Sequence, residues 1–328
     1  MKTLSRLALS VLFLLCGTTA GAETLVPETI ENARIEAIAA EPPAKPAAHP
    51  DPAIVRLQVL LDRAGASPGV IDGFDGDNVR KAVQGFEALQ KLPVDGKLDP
   101  DIVARLKADE PIMRTVEIRK EDVEDLVGEI PGDFKEMAEL DHLGYASIPE
   151  MLSERFHMDI DLVRALNPDA RFEAGETVTV VEPGARLEGE VKRIEADREK
   201  GELRAYAEDD RLIAVYPATI GSDDNPSPSG THKVKGVARM PPYTYDPDKN
   251  FQQGDNREKL TLPKGPNNPV GTVWIDLTEP TYGIHGTPEP SLIDKTGSHG
   301  CIRLANWDAE ELSDMVKPGV TVEFVDGK

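Results

Sequence analysis

Two short strings in this sequence carry residue types that could do covalent chemistry. His285-Gly286 stands in "YGIHGTPEP", and sixteen residues after that histidine comes Cys301, in Ser298-His299-Gly300-Cys301, with Arg303 just beyond. A thiol nucleophile acts as its thiolate, and an imidazole in reach favours that form through an imidazolium–thiolate pair. The imidazole needs its second nitrogen held by an acceptor so that the correct tautomer faces the sulfur. A developing oxyanion needs backbone N–H donors, which a Gly-Cys turn presents without side-chain obstruction. Arg303 supplies a forked cation for an anionic substrate. Together these residues describe cysteine-based acyl transfer. His285, His299 and Cys301 could also surround a metal, but no H-E-x-x-H spacing accompanies them.

The cysteine count sharpens the reading. The 328 residues contain two cysteines, Cys16 and Cys301. Residues 1–22 read as a secretory signal peptide, with Lys2 and Arg6 ahead of the apolar run Leu7 to Leu15 and an Ala20-Gly21-Ala22 cleavage pattern. Cys16 is expected to leave with it, so the exported chain keeps one thiol and no transmembrane anchor. A lone thiol in an oxidising compartment is either buried and inert or kept for its reactivity. The expected location is the periplasm. A formal net charge of −22, from 59 acidic and 37 basic residues, argues against nucleic acid and anionic lipid as partners.

The elements that must position this chemistry come next. Residues 23–50 are rich in Ala, Glu and Pro and read as a flexible linker. From 51 to 109 the pattern is helical, punctuated by the turns Asp72-Gly73 and Asp95-Gly96, and it predicts a small three-helix domain. Residues 110–139 are acidic and read as a connector. The stretch 140–182 predicts two short helices and a closing strand, with His157 a packing or surface histidine. From 187 to 326 the texture is mainly β, with strands in "RLIAVYPATI", "VGTVWIDL" and "VTVEFV", a helix near 307–317, and a long Pro/Gly-rich loop from Gly221 to Pro269. The fold class is therefore multidomain α+β, with a sandwich-like β domain last.

Three resemblances attach to these strings. "AVQGFEALQKLPVDG" and the repeated Asp-Gly turns resemble the peptidoglycan-binding type 1 domain. "LSERFHMDIDLVRALNP" with "FEAGETVTVV" is similar to the later two-thirds of a LysM carbohydrate-binding module, without an evident opening strand. "HGT" followed by "SHGCIRL" resembles the YkuD-type L,D-transpeptidase catalytic domain, and "YPATIGSDDNPSPSGTHKV" extends the likeness. That resemblance implies an enzyme that needs no cofactor and acts on peptidoglycan stem peptides, with glycan as the partner of the N-terminal modules. It implies Cys301 as the acylated nucleophile and His285 as general base. Gly286 would orient the imidazole, Gly300 and Cys301 would offer oxyanion N–H groups, and Ser298, His299 and Arg303 would bind substrate. The acyl acceptor stays open between an amine and water, water making an L,D-carboxypeptidase or amidase of the same site. A non-enzymatic wall-binding protein is the rival reading. No oligomeric state follows from the sequence.

Overall fold

A computed structural model describes residues 25–38, 47–106, 110–249 and 251–326. The expected signal peptide and Cys16 lie outside these residues.

The N-terminal half begins with α1 (Pro27–Glu31), α2 (Pro52–Arg63), α3 (Asp77–Leu89) and α4 (Pro100–Arg105). Asp51 caps α2 and Asp99 caps α4, each with Pro at the first helical position, where a missing N–H costs nothing. The two Asp-Gly turns are cradled by buried helical side chains. Gln58 Oε1 accepts from the N–H of Gly73 at 2.8 Å, and the Glu87 carboxylate accepts from Asp95 and Gly96, both at 2.9 Å. Both glycines have positive φ, +78° and +72°, which L side chains adopt at a cost.

Two expectations need correction here. The 23–50 linker is in part a packed element. Ile30 is fully buried and Ile35 nearly so, and the Glu31 carboxylate accepts from the Met113 N–H at 2.7 Å. Two isoleucines suffice to anchor a segment whose composition otherwise resembles a tether. The 110–139 connector, likewise, holds β1 (Met113–Glu117), α5 (Lys120–Glu124) and α6 (Phe134–Met137). β1 pairs antiparallel with β2 (Thr177–Val181), with Met113 opposite Val181 and Glu117 opposite Thr177. Three of its five residues are exposed, so apolar alternation is too weak to announce a strand. Helices α7 (Ile148–Arg155) and α8 (Ile160–Leu166) lie between the two strands in sequence. One apolar core runs without a break from Ile30 through Phe86 and Leu162 to Val181. The helical module and the β1–β2 unit are therefore one packed body.

The C-terminal half is a nine-stranded sheet around a second core. Its strands are β3 (Arg193–Asp197), β4 (Glu202–Tyr206), β5 (Leu212–Pro217), β6 (Thr219–Ile220), β7 (Gly230–Arg239), β10 (Val273–Leu277), β11 (Gly283–His285), β12 (Ile302–Arg303) and β13 (Thr321–Val325). A separate hairpin, β8 (Tyr243–Tyr245) and β9 (Leu260–Leu262), and the helix α9 (Asn306–Met315) complete the domain. The sheet order is β5-β4-β3-β13-β7-β10-β11-β12-β6. Its two end strands flank the single residue Ala218, so the sheet curls until it nearly closes. The two layers of the expected sandwich are the arms of this one sheet. β7 joins them, pairing with β13 through Gly230–Lys233 and with β10 through Val234–Arg239.

β7, β8 and β9 all lie in the stretch expected as one long loop. Of the ten residues of β7 only Val234 is buried, so the strand shows little of the alternation that marks one in sequence. The two halves of the chain also share backbone. The Gly65 carbonyl accepts from Val215 at 2.8 Å, and Ser67 N–H donates to Val215 O at 2.9 Å, covering an otherwise open sheet edge.

If residues 25–38 are part of the core, Ile30→Ala will destabilise the full chain by roughly 2–5 kcal/mol in urea denaturation. A loss below about 0.5 kcal/mol, ordinary for an exposed site, would restore the tether reading.

Candidate active site

Three neighbouring strands build the site. Register puts Trp274 of β10 opposite His285 of β11, and His285 opposite Arg303 of β12. Partners in register share a face of the sheet. On the opposite face Ile275, Ile284 and Ile302 sit side by side, each fully buried in the core. Cys301 lies in the bend just ahead of β12, two residues before Arg303. The side chains of Cys301, His285, His299 and Arg303 all line one cleft of about 770 Å³.

His285 is 6 % exposed, and its Nδ1 lies 2.6 Å from the Gly286 carbonyl oxygen. A carbonyl only accepts, so Nδ1 carries the hydrogen and Nε2 keeps its lone pair for the cleft. The ring stacks on Trp274, with centroids 5.6 Å apart and planes 21° apart. Gly286 is dictated by its neighbour: a Cβ there would stand 2.1 Å from Asn306 Oδ1. Asn306, buried at the start of α9, accepts from Thr272 N–H at 3.1 Å and donates to the Pro266 carbonyl at 3.3 Å. It thereby fixes the backbone behind the histidine. Sequence reasoning missed both Asn306 and Trp274. The only available signal was a polar residue beside Trp307 in a helix otherwise facing the core.

The nucleophile loop is held by hydroxyls. Ser298, 3 % exposed, donates to the Cys301 carbonyl at 2.6 Å and accepts from the N–H groups of Gly221 at 2.8 Å and Gly300 at 3.3 Å. That exhausts a hydroxyl's one donor and two lone pairs. Ser298 therefore shapes the loop as well as lining the cleft. The Gly300 N–H points toward Ser298 Oγ. Ser227 Oγ donates to the Gly300 carbonyl at 2.7 Å. Gly300 itself has φ +103°, and a Cβ would meet the Tyr282 ring at 2.6 Å.

The electrostatics differ from the expected ion pair. Burial pushes the Cys301 thiol up to about 11, against smaller downward pulls from the Gly283 backbone and the Arg303 charge. Burial also drives His285 down to about 4; the Gly286 hydrogen bond opposes this and the Arg303 charge reinforces it. Burial thus favours the uncharged form of each group. The thiol contacts the Thr281 carbonyl at 3.7 Å. Desolvation disfavours the charged form of each group here. The His299 ring is stacked on Phe251, with centroids 3.9 Å and planes 9° apart. Arg303 carries a buried Nε with no hydrogen-bond partner, and burial lowers its own pKa, with Glu289 and Cys301 opposing. A partly desolvated, unpaired guanidinium is suited to receive a carboxylate.

Residues 191–324 match the L,D-transpeptidase catalytic domain family, YkuD, and residues 50–106 match the family described as "Putative peptidoglycan binding domain". The chain is 33% identical over 152 residues to the "Putative L,D-transpeptidase YkuD" of Bacillus licheniformis, covering 46% of this chain and 75% of that protein. It is 32% identical over 127 residues to the "Probable L,D-transpeptidase ErfK/SrfK" of Escherichia coli, covering 38% of this chain and 41% of that one. The structure of L,D-transpeptidase 3 from Mycobacterium tuberculosis overlaps with a TM-score of 0.35 at 17% identity, over 47% of this chain and 75% of that chain. The chain belongs to the YkuD L,D-transpeptidase family. It carries in addition a domain of the peptidoglycan-binding family, ahead of the catalytic one.

A neutral resting dyad has a signature. Without substrate, the iodoacetamide alkylation rate of Cys301 will climb about tenfold per pH unit from pH 7 to 9, tracking the thiolate fraction below a high pKa. A flat rate from pH 5 to 9 would mark a preformed thiolate–imidazolium pair and contradict this electrostatic account.

Proposed function

We propose that the protein is an exported, periplasmic peptidoglycan L,D-transpeptidase that forms a cysteinyl thioester with a stem tetrapeptide and passes it to an amine. The observation that carries this reading is the pairing of His285 with Arg303 across β11 and β12, with both residues and Cys301 lining one cleft. The substrate class follows from family membership and from the peptidoglycan-binding domain in the same chain.

In this reading Sγ of Cys301 attacks the carbonyl carbon at the L-centre of the third stem residue, while Nε2 of His285 takes the thiol proton. The oxyanion is met by the Cys301 N–H, and Arg303 binds a substrate carboxylate. A carboxylate docked on Arg303 also offsets the positive field that disfavours imidazolium, so substrate binding itself would ready the base. The tetrahedral intermediate collapses, the C–N bond breaks, and the leaving D-alanine takes the proton from the imidazolium. An acceptor amine then attacks the thioester and gives a proton to His285. Expulsion of the thiolate and its reprotonation restore the resting pair. Neutral resting groups suit this sequence, since the proton moves only as the S–C bond forms.

The packed N-terminal body is proposed to hold the enzyme against the wall, through the peptidoglycan-binding module and the β1–α7–α8–β2 unit, read as LysM-like. Tethering raises local substrate concentration without new active-site contacts.

Incubation with disaccharide-tetrapeptide, read by mass spectrometry, is expected to give cross-linked dimers and a thioester adduct on Cys301. Cys301→Ala will abolish both while leaving the fold intact. Tripeptide with no dimer would establish water as the acceptor, and product from Cys301→Ala would sink the assignment. His285→Ala is expected to slow thioester formation about 100-fold or more, and His299→Ala much less. The reverse order would hand the base role to His299.

A further inference from the structure

One wall of the cleft comes from outside the catalytic sheet. Ile130, Pro131, Phe134 and Met137, from the segment expected as a connector, line it beside Tyr243 and Phe251 of the β8–β9 hairpin. Asp133 caps α6, its carboxylate accepting from Lys135 N–H at 2.8 Å, and so presents Phe134 from a short rigid turn. The Phe134 ring is the hub of an aromatic cluster. It meets Tyr243, Tyr245 and Phe251 edge-on, with centroids 6.1, 5.3 and 6.0 Å away. With Leu143 and Leu262 these rings form a third core, separate from the two large ones. Phe251 in turn carries the stack on His299, two residues from the nucleophile.

The backbone ties this arrangement down at both ends. The Gln253 side chain donates to the Gly132 carbonyl at 3.0 Å and accepts from Phe134 N–H at 3.4 Å. Farther along, Leu143 N–H donates to Lys264 O at 2.9 Å, and Asn267 N–H donates to Leu143 O at 3.0 Å. Approach there is so close that a Cβ on Gly265, whose φ is +149°, would fall 2.0 Å from the Leu143 carbonyl oxygen. A two-stranded hairpin standing outside the sheet has little stability of its own. Here its apolar face is completed by residues 130–143.

We propose that Phe134 is a positioning residue for the reaction: through Phe251 it holds the β8–β9 hairpin over His299, so the N-terminal body forms the wall that receives the substrate peptide beside Cys301. This deepens the transpeptidase reading and rests on it for what occupies the cleft. Edge-on aromatic contacts hold a ring in place by shape as well as by burial. Loss of the hub frees Phe251 from His299 and opens the wall, while His285 and Arg303 stay on their strands and Cys301 in its loop.

Three measurements on the full chain test this. In Phe134→Ala the KM for the tetrapeptide donor is expected to rise about fivefold or more, with kcat changing less than about twofold, as for lost substrate binding. Phe134→Leu should recover much of the difference. Without substrate, trypsin cleavage after Lys249 and Arg257 should accelerate about tenfold in Phe134→Ala, since protection there would reflect local opening. The His299 imidazole, now held below its ordinary pKa chiefly by burial, should return upward in an NMR titration. If Phe134→Ala fails to fold, Gln253→Ala, which cuts the side-chain ties to Gly132 and Phe134 together with one to Asn256, must show the same KM and trypsin shifts in smaller measure. Unchanged KM with unchanged trypsin sensitivity would overturn the proposal, as would a fall in kcat alone. The trypsin and NMR arms need no turnover, so a wild-type chain that makes no product would refute the transpeptidase reading and leave the positioning role to be decided by them.

Discussion

The site depends on one short stretch of parallel pairing, β11 with β12. Two residue pairs, Ile284 with Ile302 and His285 with Arg303, bring together segments sixteen residues apart. Because side chains alternate, a slip of one residue would turn Ile302 into the cleft and Arg303 into the core. The burial of Ile275, Ile284 and Ile302 in one row makes that slip prohibitively expensive. The apolar face of the sheet thus sets the geometry of its polar face, and the chemistry is held by residues that never touch substrate.

Around this row the backbone is packed to the limit of side-chain volume. Gly286 and Gly271 both face Asn306 Oδ1, at separations no Cβ could tolerate, and Gly300 faces the Tyr282 ring. These are steric statements about the histidine's carbonyl clamp and the nucleophile's turn. Burial disfavours the charged forms of both Cys301 and His285. The unpaired edge of Arg303 is the exception, a charge left partly desolvated where a substrate carboxylate can complete it.

The N-terminal half takes part in this architecture. It shares one core from Ile30 to Val181, closes the β5 edge through Gly65 and Ser67, and props the hairpin over the cleft through Phe134. His157, read from sequence as a packing or surface histidine, stacks on Trp307 and contacts Asp62 at the junction of the two halves. The arrangement couples a peptidoglycan-binding family domain mechanically to the catalytic one. A flexible string of beads would give neither the edge closure nor the wall.

The catalytic strings, the helical module with its two Asp-Gly turns, and the late helix were legible because each depends on local chemistry. Caps, turns and a nucleophile beside a glycine are written within a few residues. β1 and β7 were not legible, since an exposed strand is specified by its partners and their two sequences carry little alternation. The loop-holding hydrogen bonds of Ser298 were not legible either, since they depend on Gly221, distant in the chain. By itself, then, the sequence determined which residues are candidates to react and in what order they occur. The tertiary structure decided their protonation, their orientation and the origin of the cleft wall, because desolvation and register are properties of segments brought together from far apart.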